Sequence, residues 1–215
     1  MRNLDNLTTR GIAIVDGVNS KSELIRLAKS IGIIKLHPNG EELAVLKSTD
    51  GVNSISGTFS NIHGLAAFPF HTDTAFWGVP ARYVVMGMLN KSSCTTNFIS
   101  LNDLKEFITE DFLSKARKSI YLLETIEGSK YTSLIFSNNN DYGIRFDPNI
   151  MTPANEHAKR FHEELVGTIG SVESIKINWN GNKAIVFDNW KYLHSRSAVK
   201  NEKREVFRIY LEKVG

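Results

Sequence analysis

The sequence is poor in the residues and patterns that mark several large classes of protein. It contains one cysteine, Cys94, among 215 residues, which excludes an internal disulfide and a zinc site built from several cysteines. A single cysteine is also typical of a reducing compartment. No hydrophobic run reaches the length of a membrane span, and the first residues carry no apolar stretch of the signal-peptide type. We therefore expect a soluble cytoplasmic protein.

The chain also lacks an excess of charge of one sign. It has 26 basic and 23 acidic residues, a formal net charge of +3. Domains that bind nucleic acids usually carry a dense basic face, so we expect neither a nucleic acid nor a membrane as partner. Hydrophobic residues make up 41% of the chain, enough for a sizeable core in one domain spanning residues 1–215. Homo-oligomerisation is left open.

Predicted strands outnumber predicted helices. Segments rich in β-branched and aromatic residues include 11–16, 82–89, 184–188 and 206–214. The clearest helix covers 21–31, with Ser20 as N-cap and Glu23 completing a capping box. A second helix is predicted from Thr152-Pro153 to about 166. This pattern indicates a mainly β fold with flanking helices (α+β), in the form of a sandwich or barrel with helices packed outside.

A long segment without hydrophobic periodicity precedes the most informative stretch. Residues 49–66 are rich in serine, glycine and asparagine, which predicts a functional loop that could cover a binding site. His63 in this loop could face a substrate or be solvated. His37, in a Pro-Asn-Gly turn, is expected on the surface.

The stretch from Phe68 to Trp77 places His71 and Asp73 two residues apart among aromatic residues. On a strand, side chains alternate between faces, so these two would point into the interior, and Phe70 and Thr72 would point to the surrounding layer. Alone, the pair could be a hydrogen-bonded contact or half of a metal site.

A second histidine, His194, follows the predicted strand 184–188 in the context Asp188-Asn-Trp-Lys-Tyr-Leu-His-Ser-Arg. Two histidines and one carboxylate form the facial triad of non-haem Fe(II) oxygenases. Such a triad leaves three coordination positions for a chelating co-substrate and for O2.

The final predicted strand contains two arginines, Arg204 and Arg208, on one face with Val206 and Tyr210. Guanidinium groups bind carboxylates through two parallel hydrogen bonds. One arginine would suit the far carboxylate of 2-oxoglutarate, and the other an acidic group of a substrate. The alternative is that both form surface salt bridges with nearby glutamates.

Together these motifs resemble the taurine dioxygenase/clavaminate synthase-like branch of the Fe(II)/2-oxoglutarate oxygenases. They are His71-x-Asp73, Asp-Asn-x-x-x-x-His194-x-Arg and Arg204-x-x-x-Arg208-x-Tyr. The resemblance covers most of the chain, including His-Pro-Asn-Gly at 37–40 and Gly-Ile-Arg-Phe-Asp at 143–147. It implies a double-stranded β-helix (jelly roll) that uses Fe(II), 2-oxoglutarate and O2.

The resemblance also implies roles for individual residues. The iron ligands, which are also the catalytic residues, would be His71, Asp73 and His194. Arg204 would pair with the C5 carboxylate of 2-oxoglutarate. Thr96 would donate a hydrogen bond to the same carboxylate, with Thr95 as the alternative if the register shifts by one residue.

The substrate contacts are less closely defined. Arg208 matches a position that contacts an acidic group of the substrate. Phe76 could form a wall of the site or pack in the core, and His63 could contribute from its loop. The implied reaction is the oxidation, by hydroxylation, desaturation or cyclisation, of a small anionic or amino-acid-like metabolite, with release of succinate and CO2. The alternatives are a non-catalytic metal-binding jelly roll and a Zn(II) metalloenzyme.

Overall fold

The computed structural model describes residues 4–52, 59–108, 111–200 and 204–214. The strands within these ranges are β1 (Ile12–Asp16), β2 (Gly32–Lys35), β3 (Ala44–Lys47), β4 (Phe68–His71), β5 (Tyr83–Met88), β6 (Lys91–Ser100), β7 (Ile120–Thr125), β8 (Gly128–Ser133), β9 (Ile135–Asn138), β10 (Asp141–Ile144), β11 (Met151–Pro153), β12 (Ile175–Asn180), β13 (Lys183–Asp188), β14 (Tyr192–Arg196) and β15 (Glu205–Val214). The helices are α1 (Asp5–Arg10), α2 (Lys21–Ile31), α3 (Phe59–His63), α4 (Leu101–Phe107), α5 (Phe112–Lys118) and α6 (Glu156–Ser171). No helix in the described ranges has the length and apolar character needed to cross a membrane.

Two antiparallel sheets form the centre of the fold. The larger has the order β1-β13-β5-β15-β2, with β3 also paired to β15, and the smaller has the order β12-β6-β14-β4. A buried cluster draws side chains from both sheets, among them Met86, Phe98, Trp179, Phe187 and Tyr210. The sheets therefore pack face to face as a double-stranded β-helix, as predicted.

Helix α2 covers the outer face of the larger sheet. Its N-cap is Ser20, whose hydroxyl accepts the Glu23 N–H. The Glu23 carboxylate accepts the N–H of Asn19 at 2.8 Å, one residue before the Ser20 N–H expected in the predicted capping box. Leu24 packs so closely on β5 that a Cβ at Gly87 would lie 2.6 Å from it.

The second predicted helix begins later than expected. Residues Met151–Pro153 pair with β7 as β11, and Asn155 caps α6 by accepting the Ala158 N–H at 2.7 Å. The prediction from Thr152-Pro153 was wrong because proline also tolerates the start or edge of a sheet, where its missing N–H costs nothing.

The predicted loop at 49–66 is interrupted by the short helix α3. Residues 53–58 lie outside the described residues. Arg196 on β14 donates hydrogen bonds to the carbonyls of Gly64 (3.1 Å) and Ala66 (2.8 Å). The end of this segment is thereby attached to the smaller sheet.

The alternation predicted for the final strand is confirmed. Val206 and Tyr210 belong to the core between the sheets, whereas Phe207, Ile209 and Leu211 pack in the cluster under α2. Because β15 lies between β5 and β2/β3, its inward side chains reach the middle of the fold.

Candidate active site

A cavity of about 460 Å³ lies at one end of the space between the two sheets. Its wall contains most of the residues predicted from the sequence: His71, Asp73, Phe76, Thr96, His194, Arg204 and Arg208. The fold therefore brings together side chains from four separate parts of the chain.

The two histidines are direct neighbours on adjacent strands. His71 and His194 are paired in the register of β4 and β14, and their ring centroids are 4.1 Å apart. His71 Nδ1 lies 3.0 Å from the carbonyl oxygen of Pro69, so it donates a proton there. The Nε2 lone pair of His71 is then available to the cavity.

Asp73 reaches the site by a different route from the one predicted. Strand β4 ends at His71, so strand alternation does not position Asp73, which lies in the following turn. Its N–H donates to Asn189 Oδ1 at 2.9 Å, and its carbonyl accepts from Asn189 Nδ2 at 3.0 Å. The expectation for the opposite face is confirmed: Phe70 packs against the helix-covered core, and Thr72 Oγ1 accepts the Phe146 N–H.

The potential ligand atoms of His71, Asp73 and His194 all lie within 4.8 Å of one another. Among the described residues, Asp73 Oδ2 and His194 Nδ1 are buried without a hydrogen-bond partner. Buried polar atoms without partners are costly, and a divalent cation would satisfy them. The donor set of two imidazoles and one carboxylate fits Fe(II).

The protonation states are those that metal binding requires. Burial, reinforced by the nearby His71, lowers the pKa of His194 to about 3, so its imidazole is neutral. Burial alone would raise the pKa of Asp73, but Arg208 and the neighbouring histidines outweigh it and leave this pKa below its usual value. A neutral imidazole and an ionised carboxylate can ligate a metal without first losing a proton.

Arg208 and the missed residue His37 extend the site along β15. Arg208 Nη1 lies 2.8 Å from Asp73 Oδ1. His37 is 8% exposed, not on the surface as predicted. Its Nε2 lies 3.1 Å from the Arg208 carbonyl oxygen, and its ring packs on Tyr210 at 4.6 Å. The turn sequence suggested solvent, and only its membership of the His-Pro-Asn-Gly motif could have placed His37 in the cavity wall.

The structure distinguishes the two threonines. Thr96 lines the cavity, and its Oγ1 accepts a hydrogen bond from Trp179 Nε1 at 2.9 Å. The side chain of Thr95 bonds to Asn97 instead, and Thr95 is not part of the wall formed by the described residues. Arg204 also lines the cavity, and its backbone N–H is fixed by Ser48 Oγ at 3.0 Å.

The two remaining predicted substrate residues differ in position. Phe76 lines the cavity and also packs against the core, so both of its predicted environments occur. His63 lies behind the cavity wall: its ring packs on Phe68 at 4.5 Å, and its Nε2 contacts Asn149 Oδ1 at 2.6 Å.

An acidic residue that sequence reasoning missed also lines the cavity. Asp147 is 3% exposed, and its Oδ1 accepts from the Asn149 N–H and Nδ2 at 3.0 and 2.8 Å. Burial raises its pKa against the influence of His71. The Gly-Ile-Arg-Phe-Asp motif was the signal that could have found it.

No protein-family model matches the sequence, and a search of curated proteins finds no match. Solved structures do match. An asparagine oxygenase in complex with Fe(II), hydroxyasparagine and succinate has a TM-score of 0.78 at 12% identity, covering 97% of this chain and 77% of the other. The non-haem iron oxygenase OrfP in complex with Fe, succinate and (3S)-hydroxy-L-Arg has a TM-score of 0.66 at 13% identity, covering 97% and 78%. A taurine dioxygenase from Burkholderia xenovorans has a TM-score of 0.68 at 10% identity, covering 100% and 83%. The chain therefore has the jelly-roll fold of the taurine dioxygenase-like oxygenases.

Proposed function

We propose that this protein is a non-haem Fe(II)- and 2-oxoglutarate-dependent dioxygenase that hydroxylates a small anionic or amino-acid-like metabolite. The observation that carries the proposal is the convergence of His71, Asp73 and His194, with ligand atoms within 4.8 Å, on a cavity that also contains Arg204 and Arg208. A structural metal site would not need two arginines in an adjoining cavity, whereas a dicarboxylate co-substrate and an anionic substrate would.

The three ligands would hold Fe(II), which together with 2-oxoglutarate and O2 supplies the oxidising power for an unreactive C–H bond and yields succinate and CO2. The protein positions the reactants. Arg204 would pair with the C5 carboxylate of the co-substrate, and Thr96 would donate its hydroxyl proton to the same group. Fixed orientation of this kind lowers the entropic part of a reaction barrier. The apolar remainder of the wall, including Phe76 and Met86, would exclude water.

The charges on the cavity wall support an amino acid as substrate. Arg208 offers a guanidinium for a carboxylate, and Asp147 offers a buried carboxyl group for an ammonium. A zwitterion would satisfy both. Two of the similar structures contain hydroxylated amino acids, hydroxyasparagine and hydroxyarginine, and this agrees with the same class of substrate.

The test is an aerobic incubation of the purified protein with Fe(II), ascorbate and 2-oxoglutarate, in which succinate is measured. We expect slow succinate release without substrate and faster release when a panel of free amino acids includes the right one. Asp73→Ala should abolish turnover, whereas Arg26→Ala, at an exposed residue on α2, should not change it.

The competing functions predict different results in the same assay. Metal binding without binding or turnover of 2-oxoglutarate would refute the oxygenase and favour a non-catalytic metal protein. Hydrolytic activity that depends on Zn(II) and not on 2-oxoglutarate would identify a zinc enzyme instead.

A further inference from the structure

One side chain fixes the backbone on both sides of the Asp73 turn. Asn189 is 0% exposed and lies in the connection between β13 and β14. Its Oδ1 accepts the Asp73 N–H at 2.9 Å, and its Nδ2 donates to the carbonyls of Asp73 at 3.0 Å and Ala81 at 2.9 Å. A single amide therefore provides partners for three backbone groups that lie far away in sequence.

These contacts matter because no strand pairing holds Asp73. Strand β4 ends two residues earlier, and Thr74 adopts a left-handed conformation with φ of 55°. Buried peptide groups need hydrogen-bond partners, and in this turn a side chain supplies them. Thr74 adds a second bridge, since its Oγ1 donates to the Asp73 carbonyl (2.6 Å) and accepts the Ala81 N–H (2.8 Å).

Asn189 is itself held on both sides. Its N–H donates to the Arg82 carbonyl at 2.8 Å. The preceding Asp188 forms an ion pair with Arg82 at 2.8 Å, and the indole of the following Trp190 donates to the Pro80 carbonyl at 2.9 Å. The same short connection leads into β14, which carries His194. Asn189 thus ties the turn of one candidate ligand to the strand of another.

We propose that Asn189 is a positioning residue of the metal centre, which sets metal affinity by fixing Asp73 relative to His71 and His194. This inference rests on the proposed metal site. Asn189 does not itself line the cavity formed by the described residues, so it acts through the backbone of Asp73. Partners behind the ligands of a metal usually change its affinity by about 10- to 100-fold.

The experiment compares Mn(II) binding to metal-free wild-type protein, Asn189→Ala and Asn189→Asp by electron paramagnetic resonance titration. Asn189→Asp keeps the volume and one acceptor but loses the donor to two carbonyls. We expect both variants to bind Mn(II) about 10- to 100-fold more weakly. The matched control is Asn155→Ala, which removes the side-chain amide that caps α6 outside the cavity wall formed by the described residues and should bind Mn(II) as tightly as wild type. Circular dichroism verifies that each protein is folded.

The outcomes separate this inference from the proposed function. Wild-type protein that binds no Mn(II) would overturn the metal centre and this inference together. If wild-type protein binds Mn(II) and both Asn189 variants bind it equally tightly, or if Asn155→Ala loses as much affinity as they do, the role of Asn189 alone is overturned.

A measurement on wild-type protein covers the case in which neither Asn189 variant folds. If Asn189 holds Asp73 for the metal, then the metal must in turn stabilise the Asn189–Asp73 hydrogen bonds, because coupling is reciprocal. We expect Zn(II) to slow hydrogen exchange of the Asp73 amide, measured by NMR on ¹⁵N-labelled protein. Unchanged exchange at Asp73 with Zn(II) bound would refute the inference.

Discussion

Arg208 Nη1 donates a hydrogen bond to Asp73 Oδ1 over 2.8 Å in a pair whose side chains are 21% and 5% exposed. The other carboxylate oxygen, Oδ2, has no partner among the described residues. The arginine thus stabilises the ionised carboxylate while leaving one oxygen open to the cavity. A metal and Arg208 can therefore hold Asp73 at the same time.

Arg208→Gln should destabilise the metal-free protein by about 3 kcal/mol, because removal of one partner leaves a buried charge without compensation. Urea denaturation in the presence of EDTA measures this. Mn(II) should then raise the melting temperature more in Arg208→Gln than in wild type, since the metal becomes the main cation near Asp73. A smaller rise than in wild type would contradict this account.

A double variant tests whether the loss arises from the pair. Asp73→Asn removes the negative charge, so Arg208→Gln should lower the free energy of unfolding much less in that background than in wild type. Additive losses would show that Arg208 stabilises the protein through other contacts.

Arg204→Ala should weaken 2-oxoglutarate binding by about 100-fold and leave Mn(II) binding unchanged. The backbone N–H that bonds to Ser48 is retained in the variant, and a lost charge-assisted contact costs about 2–5 kcal/mol. Isothermal titration of each ligand measures both effects, with Arg26→Ala as the exposed arginine control. Parallel loss of metal and 2-oxoglutarate binding would mean that Arg204 serves the fold.

Thr96→Val should weaken 2-oxoglutarate binding about tenfold, while Thr95→Val should leave it unchanged, because only Thr96 lines the cavity. The same substitution removes the acceptor of the buried Trp179 Nε1 and should cost about 1–3 kcal/mol of stability. Thr95→Val matches the chemical change on the opposite face of the strand. If Thr95→Val were the variant with weaker binding, the assignment would be reversed.

The metal-free protein should lose stability as the pH falls from about 6.5 toward 3. The pKa of His194 is lowered to about 3 in the folded state against about 6.5 in an unfolded chain. In that interval the unfolded chain binds a proton that the folded protein does not, so acid favours unfolding by up to about 1.4 kcal/mol per pH unit.

Other histidines act in the same direction, because burial also lowers the pKa of His37 and His162. The contribution of His194 is therefore the difference between wild type and His194→Gln, whose replaced side chain does not titrate. In denaturation curves at pH 4.5 and 7, the free energy of unfolding should depend less on pH in the variant than in wild type. Equal dependence would mean that His194 is not buried in its neutral form.

The residues of the site were predicted from the sequence more accurately than the way in which the fold positions them. His71, Asp73 and His194 were predicted to converge, and they do. Strand alternation was predicted to point Asp73 in the same direction as His71. That explanation was wrong, because β4 ends at His71 and Asp73 lies beyond the strand. A local pattern cannot contain a contact such as that of Asp73 with Asn189, which depends on packing between distant segments.

Strand β14 illustrates a similar limit for the fold. Its sequence, Tyr192–Arg196, has no long apolar run, and it was not predicted as a strand. It forms because β4 and β6 pair with it from both sides, and this tertiary pairing overrides weak local preference. By contrast, the alternation along β15 was predictable because one face packs under α2 and the other faces the cavity.

The central position of β15 has a consequence for how the molecule assembles. This strand follows all the others in the chain, yet it is inserted between β5 and the β2/β3 edge. Pairings between residues so distant in sequence close slowly, because a large loop entropy is lost before contacts compensate for it. Until residues 205–214 dock, β5 and the β2/β3 edge each expose an unpaired strand to other molecules. We therefore expect refolding to be slow and aggregation to compete with it. Arg204 and Arg208 should join the site in the last step.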